Sequence, residues 1–429
     1  MEYIRGLIGL AVLICTAFLF SKNRKSIDWR LVGVGILLQI IFALLITKID
    51  TVATGFDWIS DKFVTLLGFS LDGAAFLFGD LVKPDKFGLI FAFQVLPTVI
   101  FFSTVTAGLY YLGVLQKIVY VIAWIMARTM RLSGAESLSA AGNIFLGQTE
   151  APLLVRPFIK NMTISEMMCL MTGGMATIAG SVLAAYVAFL GGDDPAETSK
   201  FAAYLLSASI MNAPAAIIFS KILLPEAQPE RIDTTLKISR EHIGVNLIDA
   251  LARGAADGLK LALNIGAMLM AFIAVIYALN WILVDGIGSW TGLNDLVVEN
   301  TGGSFRGFSL EYILGQIFRL FAFAIGVEWD ETLTVGSLLG QKIVINEFVA
   351  YMSMAELKES ALLSEKSIVI ATYALCGFAN FSSIAIQIGG IGGMAPNRQS
   401  DLSRLGMRAL FAATLATMMT ATIAGALFG

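Results

Sequence analysis

Gly147-Gln148-Thr149-Glu150-Ala151-Pro152 interrupts an otherwise apolar stretch that runs from Leu138 to Ile159. An uncompensated carboxylate at bilayer depth costs at least about 2.5–3.5 kcal/mol, so Glu150 is expected to face protein or trapped water rather than lipid. The arms on either side hold about eight to ten apolar residues each, whereas a full crossing helix takes about twenty. Two half-helices meeting at a polar tip satisfy both constraints. A second knot, Val344-Ile345-Asn346-Glu347-Phe348-Val349, lies in the other half of the chain and again sets a carboxylate inside an apolar run. Paired interruptions in corresponding halves of an apolar chain point to a secondary transporter.

Composition supports the membrane setting. Of 429 residues, 57% are hydrophobic and 14% charged, which excludes an ordinary soluble domain. Apolar runs at Tyr3–Phe20, Leu31–Thr47, Gly88–Gln116, Met167–Leu190, Phe201–Ser220, Leu261–Val284, Ile368–Met394 and Ala409–Phe428 are read as eight crossings. The first lacks a small-residue cleavage pattern near Phe20 and is read as a retained helix. With the N-terminus outside, the cytoplasmic segments carry most of the 29 Lys and Arg residues, which sets both termini outside. A net charge of −3, with no basic block interleaved with aromatics, gives no reason to expect nucleic acid as a partner. Cys15, Cys169 and Cys376 all fall in apolar spans and are read as small core residues, not a disulfide framework.

The organisation along the chain follows. Residues 1–115 form three plain crossings joined by a polar outer segment, Lys48 to Phe87, and read as scaffold. Residues 116–224 hold an interfacial helix (Ile118–Arg131), the first hairpin and two crossings. Residues 225–290 comprise a cytoplasmic loop and one scaffold crossing, with the single histidine, His242, read as a surface residue. Residues 291–429 hold an outer interfacial segment, the second hairpin and two crossings. Gly174-Met175-Ala176-Thr177-Ile178 after the first knot and Gly377-Phe378-Ala379-Asn380-Phe381 after the second share a Gly-x-Ala-polar-apolar pattern, the trace of an internal repeat. If the hairpins open from opposite sides of the membrane, the repeat is inverted and the polar tips meet near the midplane. The expected fold is therefore all-α and polytopic, with two re-entrant hairpins.

At the first tip, Gln148 offers an amide, Thr149 a hydroxyl and Glu150 a carboxylate, a set suited to a polar, hydrogen-bonding ring. The bland alternative is that these groups only cap the ends of the two half-helices. In the second half, Glu347, Asn346, Asn380 and Ser383 supply a carboxylate, amides and a hydroxyl, a natural clamp for vicinal hydroxyls, and Phe378 is placed to stack on a ring. Unwound backbone supplies carbonyl ligands only where a helix is already broken. Asn143 and Thr177, with main-chain oxygens near Leu146 and Ile178, could hold a small hard cation, or could be ordinary buried polar residues. No His/Cys cluster, HExxH, Walker loop or GxSxG elbow appears, so no organic cofactor or nucleotide hydrolysis is expected.

Four stretches together, Gly147-Gln148-Thr149-Glu150-Ala151-Pro152-Leu153, Asn212-Ala213-Pro214-Ala215, Asn346-Glu347-Phe348-Val349-Ala350-Tyr351 and Cys376-Gly377-Phe378-Ala379-Asn380-Phe381-Ser382-Ser383-Ile384, resemble the concentrative nucleoside transporter family over nearly the whole chain. The resemblance implies a homotrimer in the bacterial inner membrane, each protomer divided into a scaffold and a transport domain that moves as an elevator. It implies that Gln148 and Thr149 bind the nucleobase, that Glu150 supports it through water, and that Val182 and Phe378 line the base pocket. Glu347, Asn380 and Ser383 would hold the ribose hydroxyls. Asn143 and Thr177, with the carbonyls of Leu146 and Ile178, match the family's sodium site, which makes sodium the expected coupling ion. A proton-coupled symporter using Glu150 or Glu347 is the alternative, and an intramembrane enzyme or a passive channel are remote ones.

Overall fold

The computed structural model describes residues 2–88, 90–192, 194–237 and 244–428; His242 lies outside them. Every regular element among the described residues is helical. Three helices open the chain: α1 (Glu2–Leu19), α2 (Trp29–Lys48) and α3 (Asp50–Phe78). Then come α4 (Leu96–Tyr111) and α5 (Val114–Met130), the latter a 17-residue helix, matching the marginal length read from the sequence.

The segment Lys48 to Phe87 departs from expectation. Most of it is one continuous 29-residue helix, α3, long and apolar enough to cross a membrane. The aspartates that made it read as a polar linker, Asp50, Asp57, Asp61 and Asp72, fall within about 60° of one another around the helix axis. Their charge is confined to one stripe, so it does not interrupt the apolar faces.

The first hairpin begins with α6 (Gly134–Asn143), a helix opened by a capping box between Ser133 and Glu136. The chain turns through Ile144–Glu150 and returns as a 3-10 helix, Ala151–Val155, followed by one α-turn, Arg156–Ile159. A regular half-helix was expected for this return arm. Pro152 and Pro157 each remove a backbone donor five residues apart, and the arm tightens instead of forming an α-helix. The two arms press together at Gly142, where a Cβ would stand 2.5 Å from Leu154 Cδ1.

Beyond the hairpin the chain forms α7 (Ile164–Ala176), breaks at Thr177–Ala179, resumes as α8 (Gly180–Gly191) and continues into α9 (Pro195–Leu223). After α10 (Leu247–Asn280), extended by a π-helical stretch to Gly288, come α11 (Leu310–Ala324) and the second hairpin, α12 (Thr332–Val344) and α13 (Glu347–Glu359). Ser353 Oγ donates across that hairpin to Gln341 Oε1 at 2.8 Å. The second broken helix follows as α14 (Glu365–Leu375), a break at Cys376–Asn380, and α15 (Phe381–Met394); α16 (Gln399–Phe428) closes the chain. The order hairpin, broken helix, long helix thus occurs twice. The matching pentapeptides do not mark equivalent points in it, since Gly174 is helical and Gly377 sits in the break.

Burial separates core from periphery. In the stretch Ile164–Gly191, 89% of the most apolar window is buried within the protein, against 6% in Leu247–Thr291. Helices α7, α9, α14 and α16 pack on one another as the centre, and α10 lies outside against α4. Cys169 and Cys376 are buried as expected, but Cys15 is exposed on the outer face of α1, because helical phase turns it away from the α16 contact made at Gly6 and Gly9.

Charged residues lock the elements of the centre. Lys221 on α9 is buried in an ion pair with Glu136 at the start of α6, and its Nζ donates to Ser165 Oγ at 2.9 Å. Arg398 donates to the carbonyls of Ile159 at 3.2 Å, Lys160 at 3.3 Å and Met162 at 2.7 Å, closing the first hairpin's return arm, and pairs with Asp401 at 2.7 Å.

Candidate functional site

The two polar tips and the two helix breaks converge. At the crossing, Phe378 N donates to the Thr177 carbonyl at 3.3 Å, so the breaks touch through their backbones. Gly180 N donates to the Phe145 carbonyl at 3.0 Å, which fastens the first hairpin's turn to the start of α8. Asn212 Nδ2 on α9 donates to the Cys376 carbonyl at 2.7 Å and holds the second break from the other side.

Side chains then join one tip to the other. Gln387 Nε2 on α15 donates to Gln148 Oε1 at 3.2 Å and to the Met171 carbonyl at 3.0 Å, which orients the Gln148 amide. Gln148 Nε2 donates to Ser383 Oγ at 3.0 Å. Asn380 is the N-cap of α15: its Oδ1 accepts from Ser383 N at 2.9 Å, and its Nδ2 donates to Glu347 Oε2 at 2.7 Å. Glu347 Oε1 accepts from Tyr186 Oη at 2.8 Å. Gln148, Asn380, Ser383 and Glu347 are all buried, so this chain of polar groups runs through the protein interior. Such groups persist in an apolar setting only when partnered.

Thr149 is half-buried, and its methyl packs at Gly390, where a Cβ would come within 2.7 Å. Glu150 accepts from Gly147 N at 3.2 Å and is exposed at the tip. Val182 is buried one helical turn before Tyr186 and shares its face of α8. Phe378 is half-buried within the second break. Asn346 is the N-cap of α13, its Oδ1 accepting from Val349 N at 3.0 Å, while its buried Nδ2 has no hydrogen-bond partner among the described residues.

Of the residues read as ion ligands, Asn143 and Thr177 both reach Gly173. Asn143 is the last residue of α6, fully buried, and neither its Oδ1 nor its Nδ2 has a hydrogen-bond partner among the described residues. It faces Gly173, whose missing side chain leaves the space it occupies; a Cβ there would stand 3.1 Å from Asn143 Nδ2. Thr177 Oγ1 donates to the Gly173 carbonyl at 2.8 Å and keeps its lone pairs free. No backbone N–H of the described residues reaches the carbonyl of Leu146 or Ile178. An orphaned buried amide beside free oxygens at a helix break fits a hard monovalent cation, the setting in which broken membrane helices hold sodium. Among the described residues no cluster of His, Cys, Asp or Glu suits a transition metal.

Sequence reasoning missed Tyr186 and left Gln387 without a role. Gln387 was legible, since Asn380, Ser383 and Gln387 recur at helical spacing; Tyr186 was not, because an aromatic in a buried helix reads as packing.

Two hairpins, two crossed broken helices and a buried polar chain between them define a membrane transporter of small polar solutes rather than an enzyme. The comparisons with known proteins give the family. Residues 8–81 match the Na+ dependent nucleoside transporter N-terminus, residues 92–193 a nucleoside recognition domain, and residues 204–425 the Na+ dependent nucleoside transporter C-terminus. An uncharacterized transporter of Haemophilus influenzae is 43% identical, covering 100% of this chain and 99% of that protein. Mouse sodium/nucleoside cotransporter 1 is 38% identical over 100% of this chain, which spans 64% of the mouse protein. Among solved structures, CNTnw in an inward-facing substrate-bound state superposes with a TM-score of 0.89 at 40% identity over 100% of both chains. The chain belongs to the concentrative, Na+-dependent nucleoside transporter family.

Proposed function

We propose that this protein imports nucleosides by symport with sodium. The observation that carries the sodium part is Asn143, a fully buried amide with both polar atoms unpartnered beside the Thr177 hydroxyl. A cation bound there by Asn143, Thr177 and the carbonyls of Leu146 and Ile178 would tie α6 to the break of α7, and so set the tip that carries Gln148 and Thr149. These two residues take the nucleobase, with Glu150 reaching it through water and Val182 and Phe378 lining the base. Glu347, Asn380 and Ser383 take the ribose hydroxyls. Entry of the sugar would exchange the Gln148–Ser383 bond for bonds to substrate, so the polar groups stay satisfied in both conditions.

At Glu347 the Tyr186 hydroxyl and the Asn380 amide bring a donor to each oxygen, so the carboxylate is satisfied as an anion, and sodium is the coupling ion in this reading. Each cation moved inward gains about 2.3 kcal/mol per 100 mV of membrane potential. The hairpins are re-entrant in this reading, and residues of the two hairpins and broken helices move as one transport domain against a scaffold in a homotrimer of the inner membrane. Both termini lie outside, with α3 along the outer surface, its aspartate stripe facing water. Solved structures of CNTnw in inward-facing, intermediate and outward-facing states support alternating access, for which an elevator motion is our reading. Radiolabelled uridine uptake into proteoliposomes, with an inward sodium gradient or choline in its place, tests the reading. Concentrative uptake only with sodium supports it; uptake that is equal in choline but abolished by a protonophore selects proton coupling.

A further inference from the structure

Tyr186 enters the polar chain from α8, and the reading above gives it no task. Its side chain is fully buried. Its ring centroid lies 4.8 Å from that of Phe348, in an edge-on contact, and 4.6 Å from that of Tyr351. Tyr351 is itself pinned by the 2.8 Å bond from its Oη to the Thr372 carbonyl. Packed against two aromatics of α13, the Tyr186 ring is held in one orientation, and from it the hydroxyl donates to Glu347 Oε1 at 2.8 Å. Lys342, the buried ammonium of α12, donates instead to the Ala374 carbonyl at 2.8 Å and to Thr417 Oγ1 at 3.0 Å. The Glu347 carboxylate is therefore aimed by two neutral donors, Tyr186 on one oxygen and Asn380 on the other.

Both donors are anchored at the first break. Helix α8 starts at Gly180, directly after Thr177–Ala179, and Gly180 N is fastened to the Phe145 carbonyl at 3.0 Å. On the other side, the Thr177 carbonyl accepts from Phe378 N at 3.3 Å, and Asn380 N donates to the Phe378 carbonyl at 2.9 Å. Thr177 thus presents its hydroxyl to the site proposed for sodium and its carbonyl to the second break. A shift of the segment from Thr177 to Gly180 reaches Glu347 by two routes, through the body of α8 to Tyr186 and through Phe378 to Asn380. Asn380 has a hold of its own, since its Oδ1 caps α15 by accepting from Ser383 N at 2.9 Å. The Tyr186 hydroxyl makes no second bond among the described residues, so it follows α8.

We propose that Tyr186 is a positioning residue that carries the state of the first break to the Glu347 carboxylate, so that sodium sharpens recognition of the ribose hydroxyls in particular. This rests on the sodium-symport reading. An ion held by Asn143, Thr177 and the neighbouring carbonyls fixes the start of α8, and with it the Tyr186 hydroxyl on Glu347. Sodium and the ribose hydroxyls then favour each other's binding to the same degree, as linkage requires. A nucleoside without the 2′ and 3′ hydroxyls does not use Glu347 and gains less from the ion.

The test is equilibrium binding of uridine and of 2′,3′-dideoxyuridine to the purified protein, in sodium and in choline. In the wild type, sodium should tighten uridine about tenfold more than it tightens the dideoxy analogue. Tyr186→Phe keeps the ring and removes the hydroxyl. It should weaken uridine binding in sodium by about 10- to 150-fold, leave dideoxyuridine binding as in the wild type, and abolish the extra effect of sodium on uridine. A merely structural role would weaken both nucleosides alike. A folded Tyr186→Phe protein that keeps the extra effect overturns the proposal. So does an equal, nonzero tightening of both nucleosides by sodium in the wild type, a result that needs no variant to fold. Wild-type uridine binding that is the same in sodium and in choline would remove the symport reading, and this proposal with it.

Discussion

Gln148 and Ser383 stand 235 residues apart in the chain and are joined by a 3.0 Å hydrogen bond between the amide nitrogen and the hydroxyl. Leaving a buried donor unpaired costs about 1–3 kcal/mol. In Ser383→Ala the proposed sugar site loses a hydroxyl, and a bound ribose hydroxyl is left unpaired. The expected result is a rise of about 5- to 150-fold in the KM for uridine, read from concentration-dependent uptake at matched protein abundance.

In Glu347→Gln the amide oxygen still accepts from Asn380 and the amide nitrogen meets the Tyr186 hydroxyl, which turns to accept, so both bonds lose their charged acceptor. Hydrogen bonds to a charged acceptor are worth about 1.5–3 kcal/mol, so kcat/KM for uridine should fall by about 10- to 150-fold. The preference for uridine over its dideoxy analogue should shrink in parallel. Competition between the two labelled nucleosides measures it, and an unchanged preference would remove Glu347 from the sugar site.

Asn143→Ala and Thr177→Val each delete one of the oxygens grouped at the first break. Either should raise the sodium concentration for half-maximal uptake by at least about tenfold, the loss of roughly 1.4 kcal/mol of binding. Thr177→Ser keeps the hydroxyl and should behave as wild type. Sodium titrations at saturating uridine separate these cases.

Gly174 faces the polar chain, where an added Cβ would stand 2.6 Å from Gln387 Nε2 and 3.0 Å from Gln148 Cβ. Gly174→Ala should therefore weaken uridine binding by displacing Gln148. Gly389→Ala has nothing within 4 Å to disturb and serves as the control. Binding calorimetry on the purified proteins distinguishes them.

Lys221→Met strands the buried Glu136 carboxylate. Removing one partner of a buried pair costs about 3–5 kcal/mol, and restoring neutrality recovers much of it. The melting temperature should fall in Lys221→Met and rise again when Glu136→Gln is added, as followed by thermal unfolding in detergent.

The candidate site was legible because charge inside an apolar run is expensive. Glu150 and Glu347 marked both tips, and Asn380 with Ser383 marked the second break. Helix count was less legible: the aspartates of α3 lowered its average apolarity, although the fold confines them to one face. The return arm of the first hairpin misled as well, since its prolines act on backbone donors that a hydrophobicity pattern does not see. Partnerships across the fold, Tyr186 with Glu347 and Lys342 with Ala374, depend on which helices meet, and no spacing within one helix encodes them.

The clamp of Arg398 on Ile159, Lys160 and Met162 bears on how the protein is made. Those carbonyls leave the ribosome up to 239 residues ahead of the guanidinium that satisfies them. At about 5–20 residues per second, the unfinished hairpin waits roughly 10–50 s for its closing contact. During that interval its base depends on water, lipid headgroups or the insertion machinery, which makes the nascent first half the stage most exposed to quality-control proteolysis.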